Sequence, residues 1–170
     1  MRVYKFNKFK YTIDFPVLFL FVGVFLDIVS TFLFVAMNAG REVHPILGEL
    51  IAISIWFIPF YLFITNAFFV PFLPDVLRKT LSYTIGLSGV LFAMNNFSLV
   101  LFRNAFLVDT IGYTPMIIIF VLLGLILFFY FIKLDKLNNE DIAAMFLKLF
   151  FYILFIGLIN SLFVVITWLP

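Results

Sequence analysis

The run FPVLFLFVGVFLDIVSTFLFVAM, Phe15 to Met37, decides the fold class. Its 23 residues contain a single ionisable side chain, Asp27, about midway along. A hydrocarbon core about 30 Å thick is crossed by a helix of roughly 20 mainly apolar residues, and this run passes that test. It is too long for the apolar core of a signal peptide and lacks a small-x-small cleavage site, so it reads as a retained first transmembrane helix. Pro16 falls in the first turn, where its missing amide proton does no harm.

Composition extends that reading to the whole chain. Of 170 residues, 65% are hydrophobic and 12% charged, against about 45–50% and 25% in soluble domains. Four more apolar segments follow the first. The expected fold is all-α, an integral membrane bundle of five transmembrane helices at about 15–37, 45–70, 81–102, 115–132 and 142–168, forming one domain over 1–170. The absence of cysteine excludes disulfides, thiolate metal sites and cysteine nucleophiles. Residues 1–14 interleave four cations with aromatic side chains, a basic tail suited to anionic headgroups on the cytoplasmic side.

Charge sets the orientation. With five spans, nine Lys and Arg residues fall on the side of the tail and two, Arg41 and Arg103, on the other. Positive residues concentrate inside, which places the N-terminus inside and the C-terminus outside. Asn38, Arg41, Glu42, His44, Glu49, Arg103, Asn104 and Asp109 then lie at or near the outer surface.

The chemistry gathers where the first helix ends. An ionisable group at bilayer depth is costly and normally has a partner or a function. At 100° per residue Asp27, Thr31 and Asn38 fall within about 40° of one another, a polar stripe that leads to Glu42 and His44. Asp27 can serve as proton or cation ligand or as general base, or can be a structural aspartate hydrogen-bonded to a facing Asn or Ser. Asp27, Glu42 and His44 are weak candidates for a divalent cation, because a lone histidine with carboxylates suits hard cations better than zinc; Glu42 and His44 can equally decorate the N-terminus of the second helix. No bound cofactor is predicted. Asn96 and Asn160, in the outer halves of their helices, are predicted to turn toward Asp27 and complete the site, while Asn95, Asn96 and Asn160 can also act as interhelical glue. Arg41 and Arg103 are expected to pair with Glu42 and Asp109.

Packing faces are legible in the small residues. Ser82, Gly86, Gly89 and Ala93 line one side of the third predicted helix and permit close approach of another backbone. Gly48, Ala52, Pro59 and Asn66 lie within about 40° of one face of the second, the side expected to pack against neighbours, and Pro59, which removes one backbone donor, is expected to bend that helix. The fourth, with Gly124 as its only small residue, is expected to face lipid broadly. Asn139-Glu-Asp reads as the cap of the fifth. Residues 23–39 align without gaps on 89–105 with five identities in 17 positions, which in so biased a composition is expected from chance.

The order of Asp27, Ser30-Thr31, Gly40, Glu42 and His44-Pro45 resembles the opening hairpin of small uncharacterised prokaryotic multi-pass membrane proteins, in which an Asn stands where His44 stands here. That resemblance implies no activity. The expected function is therefore a multi-pass protein of the cell membrane with an outward-facing polar site, a small transporter or a subunit of a membrane complex. Its expected partners are lipids and other membrane subunits or itself, not nucleic acid. A membrane-embedded enzyme acting at the outer leaflet on lipid-linked or phosphorylated substrates is the alternative.

Overall fold

A computed structural model describes residues 14–39 and 45–168. Helix is the only regular secondary structure among these residues, with no strand. The elements are α1 (Phe15–Ala36), α2 (Pro45–Ile53), α3 (Phe57–Phe63), a π turn (Ile64–Phe68), a 3-10 turn (Val70–Phe72), α4 (Asp75–Phe102), α5 (Phe106–Ile111), α6 (Tyr113–Leu134) and α7 (Asn139–Trp168). Four of them, α1, α4, α6 and α7, are long and apolar enough to cross a membrane, the mark of a multi-pass membrane protein.

The frame of the molecule is α1 packed along α4. Asp14 caps α1 by accepting the Val17 amide at 3.2 Å, and its second oxygen accepts from the Arg78 guanidinium at 2.7 Å. At mid-length Gly23 meets Gly86 and Gly89 backbone to backbone, and further on Ser30 and Thr31 meet Asn96. The two helices thus run parallel. The predicted stripe of Ser82, Gly86, Gly89 and Ala93 is buried, and Gly23 is the residue that faces it. The gapless match of 23–39 with 89–105 places Gly23 on Gly89, and these two residues lie side by side at the crossing.

The second apolar segment is interrupted near Pro59, where a bend is expected, but it is divided into separate elements rather than one bent helix over 45–70. A continuous helix over 45–70 would leave the Ile55 carbonyl without its usual donor, because Pro59 has no amide proton, and would drive the proline ring into that carbonyl. The chain instead breaks at residues 54–56, with the Ser54 hydroxyl accepting the Trp56 amide at 3.3 Å and Ile55 accepting from Ile58 at 3.1 Å. Pro59 then falls in the first turn of α3. The Thr65 hydroxyl donates to the Tyr61 carbonyl at 2.7 Å where the helix widens into the π turn. In α2 Ala52 is exposed while Leu47 and Leu50 are buried, and Ile58 and Tyr61 of α3 join them in one buried cluster.

Other boundaries shift for local reasons. Helix α4 starts at Asp75 rather than near 81, because Pro74 ends the preceding turn and Asp75 pairs within the helix with Arg78 and with Lys79, the latter at 2.5 Å. Lys79 also reaches Asp135 at 3.6 Å, so one end of the bundle carries a connected ion-pair network. The loop expected after α4 contains α5, and Gly112, at φ 85°, separates α5 from α6. Asn138, not Asn139, caps α7, accepting the Asp141 amide at 2.8 Å. Both outer helices expose broad apolar surface, and α7 exceeds α6: 6% of its most apolar stretch is buried, against 17% in α6 and 39% in α1.

Candidate functional site

Beyond the glycine crossing, α1 and α4 continue side by side with polar rather than small residues between them. Asn96 on α4 donates through Nδ2 to the Thr31 hydroxyl at 3.0 Å and to the Ser30 hydroxyl at 3.3 Å. Thr31, one turn above Asp27, donates in turn to its Oδ1 at 3.4 Å. Ser30 spends its own proton on the Asp27 carbonyl at 3.0 Å. The spacing explains the geometry: residues four apart on a helix are neighbours on its surface, so the Thr31 hydroxyl is delivered to the carboxylate by the helix itself. A relay of donors therefore runs from α4 to Asp27.

That relay forms one wall of a cavity of about 490 Å³. The opposite wall comes from α3, the π turn and α7, where the Tyr61 hydroxyl donates to Asn160 Oδ1 at 2.9 Å. Thr65 and Asn66 project from the π turn and are joined by a hydrogen bond of 3.3 Å; a π turn inserts one extra residue, which re-aims side chains, and such turns recur at functional sites. Ser88, Phe92 and Asn95 line the α4 side, and Ala105, Val108 and Tyr113 close the end. Asn95 is 5% exposed, and its carbonyl oxygen accepts the amides of Leu107 and Val108 at 3.1 and 3.2 Å. A side chain of α4 thus caps α5 and fixes it across the cavity's end.

Of the predicted site residues, Asp27, Thr31, Asn96 and Asn160 line this cavity. Asn38 does not. It is exposed and adopts φ 49° just past the end of α1. There its amide donates to Val35 and that of Ala39 donates to Phe34, both at 3.0 Å, the pairing of a Schellman cap, whose left-handed residue Asn tolerates well. Its helical angle placed it on the Asp27 face, but the helix has ended before its side chain can join that face. Glu42, His44 and Arg41 lie outside the described residues. Arg103 is exposed, and Asp109 accepts the Ala105 amide at 3.0 Å rather than pairing with it. Among the described residues no three His, Cys, Asp or Glu side chains gather as a metal site.

Tyr61, Thr65, Asn66, Ser88 and Tyr113 are cavity residues that the sequence pattern did not single out for the site. Asn66 carried a signal, as an amide inside an apolar run, but a regular helix sends it to the Gly48 face. Ser and Thr in helices commonly satisfy themselves on the preceding turn, as Ser88 does on Ile85 at 2.8 Å, so their presence in the sequence is silent. Comparisons with protein-family models, curated proteins and solved structures find no match.

Proposed function

We propose that the protein is a carrier of the cell membrane that binds a small polar solute in the cavity between α1, α3, α4 and α7. The observation that carries this reading is the cavity itself: about 490 Å³, within the range of small-molecule sites of about 300–1,000 Å³. Its polar groups come from separate elements and surround a carboxylate set midway along an apolar helix. Polar groups at bilayer depth are expensive unless they serve a pathway or a ligand.

The carrier crosses five times, N-terminus inside and C-terminus outside, and its cavity lies toward the outer side. The parallel run of α1 and α4 supports this count. Two parallel spans in succession require the chain between them to return across the bilayer, and α2, α3 and the turns to Phe72 are the apolar segment available to do so. The second crossing is then discontinuous, an arrangement that suits irregular backbone lining a cavity.

Alternating access provides the test. The natural chain has no cysteine, so Ser88→Cys introduces a single thiol into the cavity wall. In sealed vesicles of known orientation a small impermeant thiol reagent should label it when supplied from outside and, in a separate population of the protein, when trapped inside. Labelling from one side only, under every condition tried, would rule out a carrier and leave a closed binding cup.

A further inference from the structure

We infer that the solute is an uncharged polyhydroxylated molecule, a polyol or a monosaccharide. This rests on reading the cavity as a solute site and adds the chemistry of what it takes.

The protein's own hydrogen bonds fix which amide atoms face an occupant. Ser30 donates to the Asp27 carbonyl at 3.0 Å and Thr31 to the Asp27 carboxylate at 3.4 Å, so toward Asn96 both hydroxyls can only accept. Both bonds accordingly engage Asn96 Nδ2, and its Oδ1 remains. The Thr65 hydroxyl likewise donates to the Tyr61 carbonyl at 2.7 Å and accepts from Asn66 Nδ2 at 3.3 Å, which leaves Asn66 Oδ1. Asn95 is turned the other way. Its Oδ1 accepts the Leu107 and Val108 amides, and its Nδ2 remains. All three asparagines line the cavity, and among the described residues none of these three atoms is sealed in the interior without a partner. They are therefore open to an occupant.

The wall thus offers acceptors from the π turn and from α4 and a donor from α4, all on neutral side chains. Asp27 is engaged within the protein, by the Thr31 hydroxyl and beyond it, so recognition falls to the amides. An ammonium group only donates and a carboxylate only accepts, whereas a hydroxyl does both through one atom. Either ion would leave part of the amide set unmatched, and an unmatched buried polar group is costly. Because the amides sit on separate elements, several hydroxyls spread over a carbon frame reach them, where a single polar head would serve one point. Phe34 and Phe92 belong to the apolar remainder of the wall and can take the C–H faces of such a frame.

The test uses the full chain carrying Ser88→Cys in lipid nanodiscs, where an occupant of the cavity slows alkylation of the thiol by a small hydrophilic reagent. Xylitol, D-glucose and myo-inositol are the uncharged probes, at tens of millimolar. D-glucosamine and D-gluconate supply the cation and the anion, and cyclohexanol a ring with one hydroxyl. At least one uncharged polyol should slow alkylation fivefold or more, and the other three probes less than twofold, since a site built to bond hydroxyls rejects an analogue lacking them. A thiol placed instead at Ala39, outside the cavity, should react at one rate throughout. If a charged probe or cyclohexanol protects as well as the best polyol, the polyol assignment fails while the solute site stands. If the Ser88→Cys thiol reacts from both sides of sealed vesicles but no polyol protects it, the assignment fails and the carrier reading survives; if the thiol is never reached, both fail. Asn66→Leu in the same background, shown by circular dichroism to retain its helices, should reduce protection to less than twofold, and protection that persists also overturns the assignment. The comparison of probes with Asn66 intact decides the question even if Asn66→Leu does not fold.

Discussion

Gly23→Ala is the smallest change that challenges the frame of the protein. A Cβ at Gly23 would lie 2.1 Å from the Gly86 carbonyl oxygen and 2.7 Å from its Cα, whereas an ordinary contact begins near 3.4 Å. The helices must part by more than about 1 Å at the crossing, since the obstacle is backbone and no rotamer change relieves it. Overpacking typically costs about 1–3 kcal/mol, and a clash with rigid backbone belongs at the upper end, about 3 kcal/mol. At roughly 2–4 °C per kcal/mol for a chain of this size, the midpoint of thermal unfolding should fall by roughly 6–12 °C. Gly157 is the internal control, because a Cβ there meets nothing within 4 Å, so Gly157→Ala should stay within about 1 kcal/mol of the natural chain. Thermal unfolding in a mild detergent, followed by circular dichroism or by loss of the monodisperse peak in size-exclusion chromatography, measures both. Equal midpoints for the two variants would falsify the close crossing of α1 and α4.

On α4, Gly86→Leu should destabilise by a similar amount, because its Cβ already meets the Phe19 ring at 2.7 Å, whereas Val90→Leu at a half-buried position should be mild; the same unfolding assay reads the difference, and like effects would remove the face assignment. Tyr61→Phe and Asn160→Ala each break the bond that ties α3 to α7, and a double-mutant cycle should return a coupling of about 0.6–2 kcal/mol, with additivity as the outcome that denies the tie. Asp14→Ala should cost about 1–2 kcal/mol by losing both the cap and the Arg78 partner, and Asp14→Ser should recover the cap portion of about 1 kcal/mol; no recovery would assign the whole effect to the ion pair. For the orientation, Lys136→Cys should be shielded from an impermeant reagent in intact cells while Ala39→Cys reacts, and reaction of both would overturn five spans with the N-terminus inside.

Local properties of the chain carried much of this architecture into the sequence. The long helices follow from apolar runs that match the bilayer in length, and their turns from prolines and capping residues close by. The stripe from Ser82 to Ala93 was legible because small residues recurring at helical spacing mark one face of one helix. Asp27, Thr31, Asn96 and Asn160 stood out as polar groups where lipid tolerates few. Tertiary structure decided which faces meet. Nothing in the sequence paired the α4 stripe with Gly23, since in lipid one apolar face attracts another no more than it attracts the hydrocarbon around it, and the choice falls to the fit of specific backbones. The break before α3 and the π turn shifted helical register, so Asn66 left its predicted face and joined Tyr61 and Thr65 in the cavity. Asn38 lost its place in the polar stripe for a related reason: periodicity assigns a residue to a face only while the helix continues, and where the helix stops is settled by backbone hydrogen bonds that the periodic pattern does not contain.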